Sequence, residues 1–205
     1  MGDVADLLWH RLLTKVGKKA VGDGECFALV DEALKAVGAK SAEDFGTVTF
    51  TADYVWGIEV PLSDVKPGDI LQFRDHVVTV RTEVKEQRWE ERRYKRGHHT
   101  SVVVAVNGDG SVVVVEQKVK PNPKQVTKNT IARLAAGEET RAPDTSTTIT
   151  ITVEGTVRAY RPVPKEKGAF LFRLDDLAGE QRRMFASFVP GDGGPRRPAG
   201  PVGLS

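Results

Sequence analysis

A single cysteine, Cys26, in a chain of 205 residues excludes an intramolecular disulfide framework and any multi-cysteine zinc module. No stretch approaches the roughly 18 consecutive apolar residues of a membrane-spanning helix. A dominant charge is missing as well. Thirty Lys and Arg stand against 28 Asp and Glu, and the resulting +2 does not by itself argue for nucleic acid. An apolar export signal is not found in residues 1–19, which Asp3, Asp6, His10, Arg11 and Lys15 interrupt. The expected location is therefore cytoplasmic, with release by lysis or by a specialised secretion route as the alternative. What is present, 40% hydrophobic and 28% charged residues, is the composition of a globular domain with enough chain to bury a core.

Apolar residues in 1–19 (Val4, Leu7, Leu8, Leu12, Leu13, Val16) recur at three- and four-residue spacing and predict an amphipathic helix docked on that core. A second helix is expected from Asp23 as its cap, with Cys26 at its third position and Phe27, Val30, Leu34 and Val37 on its apolar face. Pro67-Gly68-Asp69 delivers a strand at Ile70–Phe73, and residues 76–84 have the β-branched content of another. Lys85–Arg96 carries six basic and three acidic residues around Trp89 and Tyr94. Its mixed charges read as a solvated insertion rather than a nucleic-acid surface, and an insertion folded over a cleft would shape access to it.

Thr100–Val106 and Ser111–Gln117 flank Asn107-Gly108-Asp109-Gly110, a hairpin signal. Asn129–Ala136 reads as a short helix, 147–153 and 155–161 as two strands, and a short helix is expected near 179–188. The expected organisation is one domain over 1–189, with its core in 20–162, and a Gly/Pro-rich disordered tail over 190–205. The fold class is α+β, with N-terminal helices packed on an antiparallel sheet.

Cysteine chemistry needs a thiolate, a base to generate it and a group to orient the base. At a helix start Cys26 would meet free N–H groups and the positive end of the dipole, which lower a thiol's pKa, although a lone cysteine also suits a core as a small apolar residue. The base would come from His98-His99. Neighbouring strand residues face opposite ways, so only one of the two can face Cys26. If Val106 pairs with Ser111, Ser101 lies opposite Glu116, which makes Glu116 a same-face diagonal neighbour of His99 and puts Gln117 on the face of His98. The register thus offers Cys26, His99 and Glu116, although paired histidines also suit the polar mouth of a strand. Gln117, Trp56 and Tyr54 are further candidates for substrate or oxyanion contact, with the core as the plainer place for the aromatics. A metal site from Cys26, His76, His98 and His99 is disfavoured, since adjacent strand histidines point apart and no Cys-x-x-Cys or His-x-x-x-His supports it.

These motifs resemble a known family. Gly24-Glu25-Cys26 at a helix start, PGDILQF (67–73), GHHTSVVV (97–104) and VVVEQ (113–117) match the layout of the CHAP amidase/peptidases, relatives of the NlpC-type enzymes. Taken with YVWG (54–57) and GTVRAYRP (155–162), they are also similar to the cysteine-proteinase-fold domain of fungal actin-patch proteins, over roughly 23–162. The CHAP resemblance implies a papain-like fold and amide-bond hydrolysis by a Cys26–His99–Glu116 triad, with no cofactor. It also implies a peptide or peptidoglycan-like substrate. The small residue two places after the family's catalytic histidine matches Ser101 and again selects His99. Two departures stand out: Lys118 occupies the position where the family often has Asn, and residues 20–25 hold no papain-type glutamine. The second resemblance implies an intracellular setting, and its alternative to turnover is an idle papain-like module that binds a protein partner.

Overall fold

The computed structural model describes residues 3–49, 51–84 and 88–165. The helix expected near 179–188 and the tail lie outside the described residues.

Two helices open the chain. Helix α1 (Val4–Leu13) is capped by Asp3, whose carboxylate accepts the Ala5 N–H, and it buries Val4, Ala5, Leu8 and Leu12 as one stripe. Helix α2 (Cys26–Ala36) starts later than its sequence suggests. Asp23 Oδ1 accepts the Glu25 N–H at 2.9 Å and closes a turn ahead of the helix, so Glu25 takes the cap position and Cys26 becomes the first helical residue rather than the third. Both helices pack against β3 and against each other.

Seven antiparallel strands form one sheet among the described residues: β1 (Ile58–Val60), β2 (Ile70–Val84), β3 (Arg88–Val106), β4 (Val112–Glu116), β5 (Thr127–Ile131), β6 (Gly137–Asp144) and β7 (Thr147–Arg161). Their order is β1-β7-β2-β3-β4-β5, with β6 also on β7. The protein is thus an α+β domain. Strands β1 and β6 share the outer edge of β7, β1 against 159–161 and β6 against 147–153. On the other side, β4 covers β3 only over 102–106. The sheet therefore has a broad body and a narrower arm, in which β3 is the edge.

Several sequence expectations change here. The charged stretch is not a loop, because its described residues 88–96 form the outer half of β3 and pair residue for residue with β2. Residues 129–131 belong to β5 rather than a helix, because they complete the ladder with β4. The two strands expected over 147–161 are one, β7, running through Gly155.

The face alternation of β2 reverses where arm meets body. Leu71 and Phe73 are buried on one side of the reversal, and His76 and Val78 on the other. Asp75 adopts φ 50° there, and the register with β7 slips by one between Arg74 and Val77. Because β3 stays in step with β2 through the kink, its alternation reverses too, between the Arg74↔His98 and His76↔Arg96 pairs. Arg96 and His99, three residues apart, consequently share a face.

The β3–β4 hairpin shows a related adjustment. Val106 pairs with Val112 rather than Ser111, because the turn closes through Asn107 N–H to Ser111 C=O. A bulge between Val103 and Ala105 then restores Val103↔Val114 and Val102↔Val115. Two offsets cancel, and the inner register equals the one expected. That face carries an apolar cluster drawn from five strands, including Phe73, Val103, Val114, Ile131 and Val153. Buried Asp69 pairs with half-buried Arg161 at 3.1 Å and ties the entry of β2 to the end of β7.

The kink depends on Gly155, which sits at φ +82° with an added Cβ only 2.2 Å from the Asp75 carbonyl oxygen. Gly155→Ala is expected to destabilise the domain by about 2 kcal/mol or more. Urea unfolding followed by far-UV circular dichroism checks this, and an unchanged midpoint would refute it.

Candidate active site

The site forms where β4 stops covering β3. The end of β4 supplies Glu116, β3 supplies Arg96 and His99, and the first residue of α2 supplies Cys26. Glu116 has no exposed surface, yet it is fully engaged. Arg96 grips it with two hydrogen bonds, Nε to Oε2 at 3.0 Å and an Nη to Oε1 at 2.7 Å. Asn129 Nδ2 donates to Oε1 at 2.9 Å, and His99 Nε2 lies 3.0 Å from Oε2. With Nε2 committed to Glu116, Nδ1 is the ring nitrogen left to act on the Cys26 thiol, whose pKa His99 lowers.

Burial alone would raise the Cys26 pKa. The hydrogen bond and charge of His99, with the Thr100 N–H, reverse this and hold the thiol below its ordinary value. Burial likewise opposes a charged His99, but Cys26 and Glu116 lift its pKa to about 9. Glu116 is pushed up by burial and pulled down to about 2 by His99 and Arg96. Near neutral pH Arg96, Glu116 and His99 thus carry charges that alternate in sign, and His99 eases the loss of the Cys26 proton.

Cys26 is largely buried but lines a cleft of about 1050 Å³. Its lining includes Tyr54 and Phe27, Arg93–Thr100 of β3, and 118–121 with Asn129 and Thr130. Among the described residues no group of three or more His, Cys, Asp and Glu could hold a metal ion.

Cys26, His99 and Glu116 therefore come together, and His98 faces away from them against the Tyr54 ring at 5.0 Å. The other candidates sort differently. Tyr54 lines the cleft, whereas Trp56 is wholly buried with its Nε1–H on Gln72 Oε1 at 3.1 Å and offers no surface to a substrate. Gln117 is no free oxyanion donor. Its Nε2 donates to the Val21 and Glu25 carbonyls and its Oε1 accepts the Val21 N–H, so it straps the loop ahead of α2 to the end of β4. Lys118, at the family's Asn position, turns out to φ 64° and pairs with Glu25.

Arg96 and Asn129 were not singled out from the sequence. Asn129 pairs with Val114, two residues from Glu116 on the same face of β4, so recognising β5 as a strand would have found it. Arg96 is one of six basic residues in its run, and only the kink distinguishes it.

His76 pairs across the sheet with Arg96, is fully buried, and makes no well-formed hydrogen bond. Burial, then the Arg96 charge, lower its pKa to about 4 from 6.5. The unfolded chain takes up this proton first, so His76 lowers stability as pH falls from 6.5 towards 4 and has no such effect above 6.5. His76→Leu is expected to remove about 2 kcal/mol of the stability lost between about pH 7 and about pH 5. Parallel urea titrations of the two proteins at both pH values check this, and equal losses would refute it.

Residues 9–170 match the family model of the AIM3/BBC1 cysteine proteinase-fold domain, most of the chain. No curated protein and no solved structure gives a significant match. The likeness to the fungal actin-patch proteins' domain, drawn from the order of the short motifs, agrees with the family match. No helix of the described residues is long and apolar enough to cross a membrane. With a match of this extent and a seven-stranded sheet carrying two helices, the chain belongs to the AIM3/BBC1 cysteine proteinase-fold domain family.

Proposed function

We propose that the domain is a papain-like, CHAP-like cysteine hydrolase of amide bonds, with Cys26 as nucleophile, His99 as acid–base and Glu116 as the residue that positions His99. The observation that carries this reading is the chain of hydrogen bonds from Arg96 through Glu116 to His99, beside a cysteine that opens a helix on a cleft and whose thiol His99 holds below its ordinary pKa.

The Cys26 thiolate attacks the scissile carbonyl carbon, forming a C–S bond as the carbonyl electrons move onto oxygen. The Cys26 backbone N–H, at the first position of α2, has no partner within the helix and would donate to that developing charge. Collapse of the adduct breaks the C–N bond, and imidazolium His99 gives its proton to the departing amine. His99 then takes a proton from water as water attacks the thioester carbon, which releases the acid and restores the thiolate. Glu116 holds the imidazole by Nε2, so Nδ1 does the proton transfer. Arg96 and Asn129 keep Glu116 in place. Neither touches the reacting atoms.

Alkylation of Cys26 by iodoacetamide, measured against pH, tests this. In the native protein the reaction should persist well below the ordinary thiol range near about 8.5, and His99→Ala should slow it at about pH 6 by at least about tenfold. Glu116→Gln should shift the profile in the same direction. A thiol indifferent to His99 would sink the hydrolase reading and leave a papain-like module that binds a partner without turnover.

A further inference from the structure

The outer half of β3 is the edge of the arm, and it forms one wall of the cleft that holds Cys26. From Arg88 to Ser101 this strand pairs with β2 alone, and β4 begins its pairing only at Val102. No other backbone hydrogen bond reaches 88–101 among the described residues. A row of main-chain donors and acceptors therefore borders the cleft and leads to His99. From Arg93 to His99 the strand spans roughly 20 Å, room for five or six residues of an extended guest.

The charge of the walls is lopsided. Arg96 is neutralised by Glu116 and Lys118 by Glu25. Arg93 and Lys95 of β3 and Lys120 after β4 line the cleft, are exposed and have no ion-pair partner among the described residues. Asp23 is the one acidic side chain lining the cleft that is not committed to those pairs. Arg93 and Lys95 are two apart on a strand and so project to the same side.

We propose that the cleft takes an extended acidic peptide segment, added as a strand to the β3 edge along Arg93–Gly97, with its carboxylates meeting Arg93, Lys95 and Lys120. This names the substrate class for the hydrolase reading and rests on it. Backbone pairing supplies a sequence-independent hold, and the three cations supply the selection for acidic side chains.

Binding to the full chain carrying Cys26→Ala separates this from the question of turnover, because no hydrolysis is needed for the readout. Fluorescence anisotropy would compare a labelled ten-residue peptide rich in Asp and Glu with its Asn/Gln counterpart and with a form methylated at alternate backbone nitrogens. The acidic peptide is expected to bind at least about tenfold more tightly than either, and to weaken as salt rises from about 0.05 to about 0.5 M. Arg93→Glu with Lys95→Glu should abolish that preference. Lys120→Glu, outside β3, should reduce it independently should the double variant fold poorly. Equal affinity for acidic and neutral peptides would overturn the proposal, as would indifference to backbone methylation or tighter binding of a single-stranded oligonucleotide. If the preference holds while Cys26 proves unreactive, the hydrolase reading fails and the acidic-peptide site stands.

Discussion

A carboxylate with no exposed surface cannot stay ionised unless its charge is met from within, and Glu116 is met from three directions at once: Arg96 and His99 on β3 and Asn129 on β5. Removing any charge partner would leave several kcal/mol of uncompensated burial, so the strands that carry these groups have little freedom to slide. The imidazole is held by the same constraint. A histidine that donates to a buried carboxylate has its ring orientation and tautomer decided, and the opposite nitrogen is thereby directed at Cys26. Arg96 matters for a second reason. Without it, a carboxylate with no exposed surface would be met by His99 and the Asn129 amide alone.

The residues at the centre were legible in the sequence for a physical reason: a period-two strand turns a register into a statement about faces. Placing Glu116 beside His99 needed only the pairing of two β-branched runs. The pairing assumed at the turn was off by one, and the bulge between Val103 and Ala105 removed the difference before it reached the site. The α2 cap was misplaced because Asp23 can serve either a helix or a preceding turn, and here it serves the turn. Arg96 was illegible because alternation, the rule that located His99, fails between Arg96 and His98, where the hairpin kinks at Asp75. The arm was missed for a related reason. Residues 88–96 look solvated because they are, but an exposed edge strand held on one side by β2 has that same composition.

Gln117 shows how scaffold and site share neighbours. It follows Glu116 in the chain and faces the other way, and its amide fixes the Val21–Glu25 loop from which α2 starts. One pair of adjacent residues at the end of β4 thus sets both the histidine and the helix that bears the cysteine. The distance between nucleophile and base is governed by a short, stiff element rather than by the long excursions of the arm.

The open rim of the arm has a consequence for how the molecule keeps its own company. A bare strand edge is a template for any other bare edge, including that of an identical neighbour, and exposed Trp89 and Tyr94 would add apolar attraction to such a match. In an antiparallel meeting of two such rims, the Glu90 and Glu91 of each could lie against the Arg92 and Arg93 of the other, so the register decides whether the charges attract or repel. Registers that set cation against cation are disfavoured, most strongly at low salt. The border is thus selective by its side chains where its backbone is not.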